Sequence, residues 1–404
     1  MMKFTFKTLD DVDLTGKRVL IRVDINCSVD PDTKKIIDDS RIIASLPTLR
    51  ELSRCKVALM AHQGRPGDSD FISLEQHTKR LIELGLNATY VNDIFGEKAK
   101  TSIKNLNDGE IVVLENVRMF EGELKKGPPS EVAKTALVQE LYPLFDLFVN
   151  DAYGAAHRSQ ASTVGFTTVL PSVAGRLVEK EIRILTEATA EEKHPWILVL
   201  GGAKVEDKVK TLDRLLETGR VDYALLGGLI ATLFLIANGS IPEEYSKPIS
   251  GFENAVGIAK GLMNRYPEII KLPIDAAVDR NGRRVDCGLS EVDGDSFFDI
   301  GPETIRNYVE LIGSSKVVFA NGPMGFFERD EFAIGTIKIL NAIADCRGTT
   351  IVGGGHMGAM AVKTGQEDKL SHISTGGGAT INFLTGKKLE VIAALEDAAK
   401  RMDG

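Results

Sequence analysis

Lys204 and Lys208 stand four residues apart, just after the apolar run Trp196–Leu200 and a Gly201-Gly202 turn. The run reads as a buried strand, and the glycines as a turn that other residues make only under strain. In a helix that starts there, the i, i+4 spacing puts both ammonium groups on one face, beside the first unpaired backbone N–H groups. Such a place attracts phosphate. Taken alone, the GGxK string is more simply a tight turn before a solvated helix face, because short motifs match often by chance.

Other groups gather at expected strand ends. Segments 17–23, 57–61, 111–114 and 147–149 carry strand signals, ending in Asp24-Ile25-Asn26, His62-Gln63-Gly64-Arg65, Glu115-Asn116-Val117-Arg118 and Asn150-Asp151. Helical periodicity lies between them, at 41–52 and 74–84. Alternating strands and helices imply a parallel sheet covered on both faces, with its ligand crevice beyond the strands' carboxyl ends. Those ends collect His62, Arg65 and Arg118, and slightly later His157 and Arg158. Each arginine singly is a surface residue; several after successive strands of one sheet make a cluster for a small anion.

A long helix is expected at 173–192, where Val173, Leu177, Val178, Ile182, Leu185 and Ala188 recur at helical intervals. The strand pattern then restarts. Strands expected at 223–226, 271–274, 317–320 and 350–352 end in Gly227-Gly228, Asp275, Asn321-Gly322-Pro323 and Gly353-Gly354-Gly355. These ends are poorer in arginine and richer in glycine, which lets backbone approach a nucleotide closely. The first sheet is thus expected to take a small anion and the second a nucleotide. An amphipathic helix at 388–402 closes the chain.

Size and composition bound the rest. A chain of 404 residues implies two domains. No apolar run reaches the ~20 residues of a membrane span, and the first ten residues lack a signal peptide's apolar core, so a cytoplasmic protein is expected. Cys27, Cys55, Cys287 and Cys346 are scattered, which suits core thiols in a reducing compartment and not structural zinc. With 57 acidic against 49 basic residues, the net charge of −8 disfavours nucleic acid and anionic lipid as partners. A phosphorylated substrate would need a local basic cluster. The sequence is compatible with a monomer or a homodimer.

No Walker string GxxxxGK(S/T) exists here. Residues 353–358 match GxGxxG, but late in the chain, with Ser374 and Thr375 where a dinucleotide site would place its acid. A nicotinamide dehydrogenase is therefore only the alternative reading.

Taken together, the motifs resemble the phosphoglycerate kinase family over nearly the whole chain. RVDIN (22–26), DDSRIIASLPTL (38–49), AHQGRP (61–66), LENVR (114–118) and NDAYGAAHR (150–158) are similar to its phosphoglycerate side. LGGAKVEDK (200–208), NGPMGFFE (321–328) and STGGGATINFLTGK (374–387) are similar to its nucleotide side. The resemblance implies two Rossmann-like α/β domains with parallel sheets: residues 1–172 plus 389–404 for phosphoglycerate and 193–388 for nucleotide, joined by the helix at 173–192. It further implies phosphoryl transfer between 1,3-bisphosphoglycerate and ADP, giving 3-phosphoglycerate and ATP, with Mg²⁺ accompanying the nucleotide and hinge-bending closure on binding.

The resemblance also implies roles. Asp24 and Asn26 would meet the glycerate, and His62, Arg65, Arg118 and Arg158 the 3-phosphate. Arg41 would be the catalytic cation, although Asp38 and Asp39 beside it offer a simpler role as local charge partners. Gly202, Gly227 and Gly228 would flank the base, Lys204 and Lys208 would hold phosphates, and Asn321 would lie near the α-phosphate. Glu328 would hold the ribose, Gly353, Gly354, Gly355, His356 and Met357 would line the nucleotide, and Gly376, Gly377 and Gly378 would offer N–H groups to the group in flight. Most relatives carry an aspartate for the metal after the glycines at 353–355. His356 stands there, as in the archaeal branch, and leaves the metal ligands unassigned. Gln160 replaces a second histidine, a change expected to retune phosphoglycerate contacts.

Overall fold

The computed structural model describes residues 4–292 and 297–404. The chain divides into two compact units, Met1–Arg183 with Lys387–Gly404, and Ile184–Gly386. The first contains β1 (Arg18–Val23), a small hairpin of β2 (Ser28–Val29) and β3 (Ile36–Asp38), β4 (Lys56–Met60), β5 (Ala88–Tyr90), β6 (Ile111–Val113), β7 (Leu147–Asp151) and β8 (Ser172–Ala174). Apart from the hairpin, these strands form one parallel sheet in the order β5-β6-β4-β1-β7-β8. Helices cover both faces, so the strands are apolar almost throughout and Val19, Leu20, Ile21 and Val23 have no solvent exposure. Register sets the functional edge. Arg22 lies level with Met60 on β4 and with Asn150 on β7, so the residues following all three strands emerge side by side.

The second unit has β9 (Trp196–Leu200), β10 (Tyr223–Leu226), β11 (Ile270–Lys271), β12 (Asp275–Arg280), β13 (Arg283–Gly288), β14 (Phe297–Ile300), β15 (Val317–Asn321), β16 (Thr349–Gly353) and β17 (His372–Ser374). A parallel sheet runs β11-β10-β9-β15-β16-β17. Asn321 at the end of β15 is level with Leu200 and Gly353. Both units are thus α/β, each built on a parallel sheet. No helix among the described residues is long and apolar enough to cross a membrane.

Two expected elements differ. The strand at 271–274 is only Ile270–Lys271, and Ile274 is half exposed. From Asp275 the chain instead forms an antiparallel sheet, β13-β12-β14, because the pairing of Asp275 to Arg280 with Arg283 to Gly288 through a tight turn is local. The expected helix at 173–192 is Arg176–Ala188. Val173 belongs to β8, level with Val149. The helix can begin only past that strand, where buried Asp151 accepts the N–H groups of Leu177 (2.9 Å) and Val178 (3.1 Å). The boundary between the units falls inside this helix. The tail helix Glu390–Asp403 packs on the first unit, with Val391 N–H donating to Ala156 O (3.0 Å) and Lys7 paired with Asp403.

Candidate functional site

At the first unit's sheet edge, Asp24 follows β1 and is buried. It accepts from Arg41 Nη1 and from the Asn26 N–H (3.3 Å), while Asn26 Oδ1 accepts the Gly64 N–H at 2.8 Å. Arg41 reaches across to Asp24. Asp38 takes the Ser40 N–H (2.9 Å) at the start of the helix Ser40–Glu51, and Asp39 takes Arg80 (2.6 Å). Burial pushes the Asp24 carboxyl up, but Arg41 first, followed by the neighbouring His62 and Arg22, outweighs that and holds it down at about 2. The pair closes over Gly154, where a Cβ would lie 1.9 Å from Asp24 Oδ2. Gly154→Ala should therefore push the Asp24–Arg41 pair apart and raise the KM for the first unit's ligand. Unchanged kinetics would show that the pair can shift freely.

His62 and Arg118 are buried beside this pair, Arg158 is half-buried and Arg65 is exposed. Arg22 Nη2 lies 3.0 Å from His62 Nδ1, and Arg158 Nη1 lies 3.4 Å from Nε2. Burial and then the Arg22 charge hold His62 well below its usual pKa, so it is neutral. Arg118 Nη1 donates to Gly64 O. Burial, then the charges of Arg158, Arg22 and Arg65, bring Arg118 down to about 10. Guanidiniums this close repel one another, and an anion between them would relieve the strain. The loop carrying Arg65 hangs on the buried Gln63 amide. Its Oε1 accepts from Cys27 N–H (2.8 Å) and lies 3.0 Å from His77 Nε2, and its Nε2 donates to Cys27 O (3.0 Å) and Asp70 O (3.1 Å). Gln160 donates to Glu123 O (2.8 Å), away from the expected ligand contacts.

In the second unit, Lys204 precedes the helix Val205–Leu216 as its N-cap and is exposed. Lys208 turns inward, and its Nζ donates to Asn321 O (2.7 Å) and Oδ1. The two ammonium groups thus differ in setting, because only Lys208 lies in the helix proper. Burial, with a further push from Lys204, brings Lys208 down to about 8. Gly228, at φ +58°, would place a Cβ 2.7 Å from Gly202 N, and a Cβ on Gly227 would meet Met324 Sδ at 2.7 Å. These glycines first serve the close packing of the three turns after β9, β10 and β15. Gly353 ends β16, Gly354 (φ +91°) is the N-cap of the helix Gly355–Lys363 beside Asn321 Oδ1, and Gly355 opens on free space.

Other expected residues separate in role. Met357 has no exposure and its side chain belongs to the core, so only its backbone could face a nucleotide. Spacing could not reveal this, because successive residues of a helix point 100° apart. His356 is exposed, its ring 5.1 Å from that of Phe327. Glu328 is exposed one residue further along. The Gly376 N–H is taken by Ser374 Oγ (3.2 Å), while Gly377 caps the short helix Gly378–Leu384 and faces open space.

The model of the family described as phosphoglycerate kinase matches residues 9–387, which include every site residue above. The chain belongs to the phosphoglycerate kinase family. A phosphoglycerate kinase of Methanothermus fervidus is 44% identical over 99% of both chains, and one of Methanothermobacter thermautotrophicus is 46% identical over 98% of both. Among solved structures, the phosphoglycerate kinase of Pyrococcus horikoshii aligns with a TM-score of 0.89 at 40% identity, covering 98% of this chain and 100% of that one. The Coxiella burnetii enzyme aligns at a TM-score of 0.76 and 31% identity over the same shares. The likeness therefore spans both units. Three buried residues linked to His62 were not singled out in the sequence: Arg22, which meets its ring, and behind it Ser162 and Glu123. A signal existed for one of them, since an arginine inside the apolar strand VLIRV must find a buried partner.

Proposed function

We infer that this chain is a phosphoglycerate kinase, moving a phosphoryl group between the acyl phosphate of 1,3-bisphosphoglycerate and ADP to give 3-phosphoglycerate and ATP. The observation that carries the assignment of ligands is the convergence of Arg41, Arg118, Arg158 and neutral His62 around Asp24 at one sheet edge. Asp24 and Asn26 accept from and donate to the glycerate, and Arg65, Arg118, Arg158 and His62 hold its phosphate. Lys208, oriented by Asn321, meets the nucleotide phosphates. Gly354, Gly355 and His356 supply the N–H groups of a helix start, Glu328 is within the strand-end turn for the ribose, and the N–H groups of Gly377 and Gly378 meet the transferring group. The transition state is loose, so the protein's task is positioning and charge neutralisation, and no nucleophilic side chain is required. A coupled assay with 3-phosphoglycerate and ATP that reads acyl phosphate tests the reading. No turnover with a folded protein would refute it.

The donor set does not fit a resident Mg²⁺. Among the described residues no group of three or more His, Cys, Asp or Glu side chains is placed to hold a metal ion. Imidazole is also a poor ligand for so hard a cation, and His356 rests against Phe327. Mg²⁺ would then arrive on the nucleotide phosphates with its waters. His356→Ala should leave the dependence of rate on Mg²⁺ concentration unchanged. Loss of activity restored by Mn²⁺ would instead make the imidazole a ligand.

A further inference from the structure

Arg22 is among the largest fully buried side chains of the protein, and each of its three nitrogens already meets a protein group. Nε donates to Ser162 Oγ (2.9 Å), Nη1 to Val23 O, and Nη2 faces His62 Nδ1 (3.0 Å). Ser162 in turn is held by Glu123, whose carboxylate accepts the Ser162 hydroxyl (2.6 Å) and its N–H (2.9 Å). Glu123 is 1% exposed; burial pushes its carboxyl up, and the Arg22 charge, then the hydrogen bonds from Ser162, act against that rise. These groups form one buried chain: Glu123, Ser162, Arg22, His62.

The chain fixes a proton. A guanidinium has no acceptor, so the contact with Arg22 requires His62 Nδ1 to be the accepting nitrogen. A neutral imidazole then carries its hydrogen on Nε2. Arg158 Nη1 also approaches Nε2, but at 3.4 Å against 3.0 Å for Arg22, and a neutral imidazole accepts at one nitrogen only, so the shorter contact takes the acceptor and leaves the Nε2–H and the Arg158 N–H facing each other as two donors. An acceptor oxygen set between them would satisfy both. Double protonation of His62 is opposed first by burial and then by Arg22, Arg118 and Arg158, while Asp24 favours it.

We propose that Glu123, Ser162 and Arg22 are positioning residues that lock His62 as the Nε2–H tautomer, so that it meets the substrate's anionic oxygen as a neutral directional donor while Arg158 supplies the charge. The identity of that oxygen as phosphate rests on the function proposed above; the tautomer does not. Histidine-selective ¹⁵N NMR of the full chain separates the two, with the His62 signals assigned through His62→Gln among the six histidines. Between pH 5.5 and 8, His62 should show an unprotonated Nδ1 and a protonated Nε2 without titrating. An imidazolium in that range, or the opposite tautomer, overturns the proposal whatever the enzyme's substrate is.

Ser162→Ala should let both tautomers or a titration appear in the same spectrum. It should raise the KM for 3-phosphoglycerate ~10-fold with kcat nearly unchanged, the effect of weakening one charge-assisted hydrogen bond. An unaltered spectrum removes Ser162 from the chain. His62→Gln, whose amide nitrogen reaches the Nε2 position, should retain more affinity than His62→Asn, whose shorter amide stops at Nδ1. Equal losses with a correct wild-type spectrum would mean that the tautomer is real but that the substrate does not use it.

Discussion

Arg41→Ala should lower kcat and kcat/KM together by ~10³-fold or more, the range over which a transition-state arginine acts in phosphoryl transfer. The expected role is to shield the acyl oxygen and the incoming phosphate and then follow charge as it spreads over the transferring oxygens. The structure adds a second consequence. Arg41 is the chief group keeping buried Asp24 ionised, so its loss raises the Asp24 carboxyl and lowers stability as well. The sign follows from linkage. With a folded pKa near 2, below the ordinary 3.9, Asp24 contributes stability that is complete above pH ~4 and is lost as pH falls toward 2. In Arg41→Ala that contribution, on the order of 2 kcal/mol, shrinks at neutral pH, and the two proteins converge near pH 2. Adding Asp24→Asn should recover stability without recovering the rate. Arg41→Lys should regain part of the rate, since an ammonium cannot span two oxygens as the guanidinium fork can. An Arg41→Ala enzyme with normal kcat and only a lower Tm would leave Arg41 as the partner of Asp24 and nothing more.

Lys208→Ala should cost ~10² to 10³ in kcat, with a smaller rise in nucleotide KM, by comparison with other preorganised groups aimed at developing charge. Two losses combine in it: the ammonium itself, and the grip on Asn321 O and Oδ1 that orients the amide beside Gly354. The lysine's depressed pKa gives an independent signature. In the free enzyme Lys208 sheds its proton around pH 8, so kcat/KM for nucleotide should fall above that pH. Bound phosphates stabilise the ammonium, so kcat should hold to higher pH. The same shift makes stability rise between pH ~8 and ~10.4, where the unfolded chain holds a proton that the folded one has lost. Lys208→Ala should abolish both slopes. A mutant that keeps the alkaline fall in kcat/KM would assign it to another group.

Much of this was written locally. The strand ends carrying Asp24, His62, Arg118 and Asn321 are legible because an apolar run that stops at polar residues means the same thing in any parallel sheet. The Gly228 and Gly354 turns are legible for a similar reason, since backbone with positive φ leaves glycine as the relaxed choice. Family strings supplied Arg41, whose local context pointed instead to Asp38 and Asp39. Tertiary structure decided which of these groups meet. Arg41 reaches Asp24, while Asp39 is taken by Arg80, a residue of another helix. Lys204 and Lys208 have the same chemistry and a helical spacing, yet only packing against β15 makes one of them half-buried and shifts its proton. His62 was legible as a ligand but not as a neutral donor. Its protonation is set by Arg22 from within the sheet and, through Ser162, by a glutamate about sixty residues away, and a proton's position is decided by three-dimensional neighbours that no local pattern encodes.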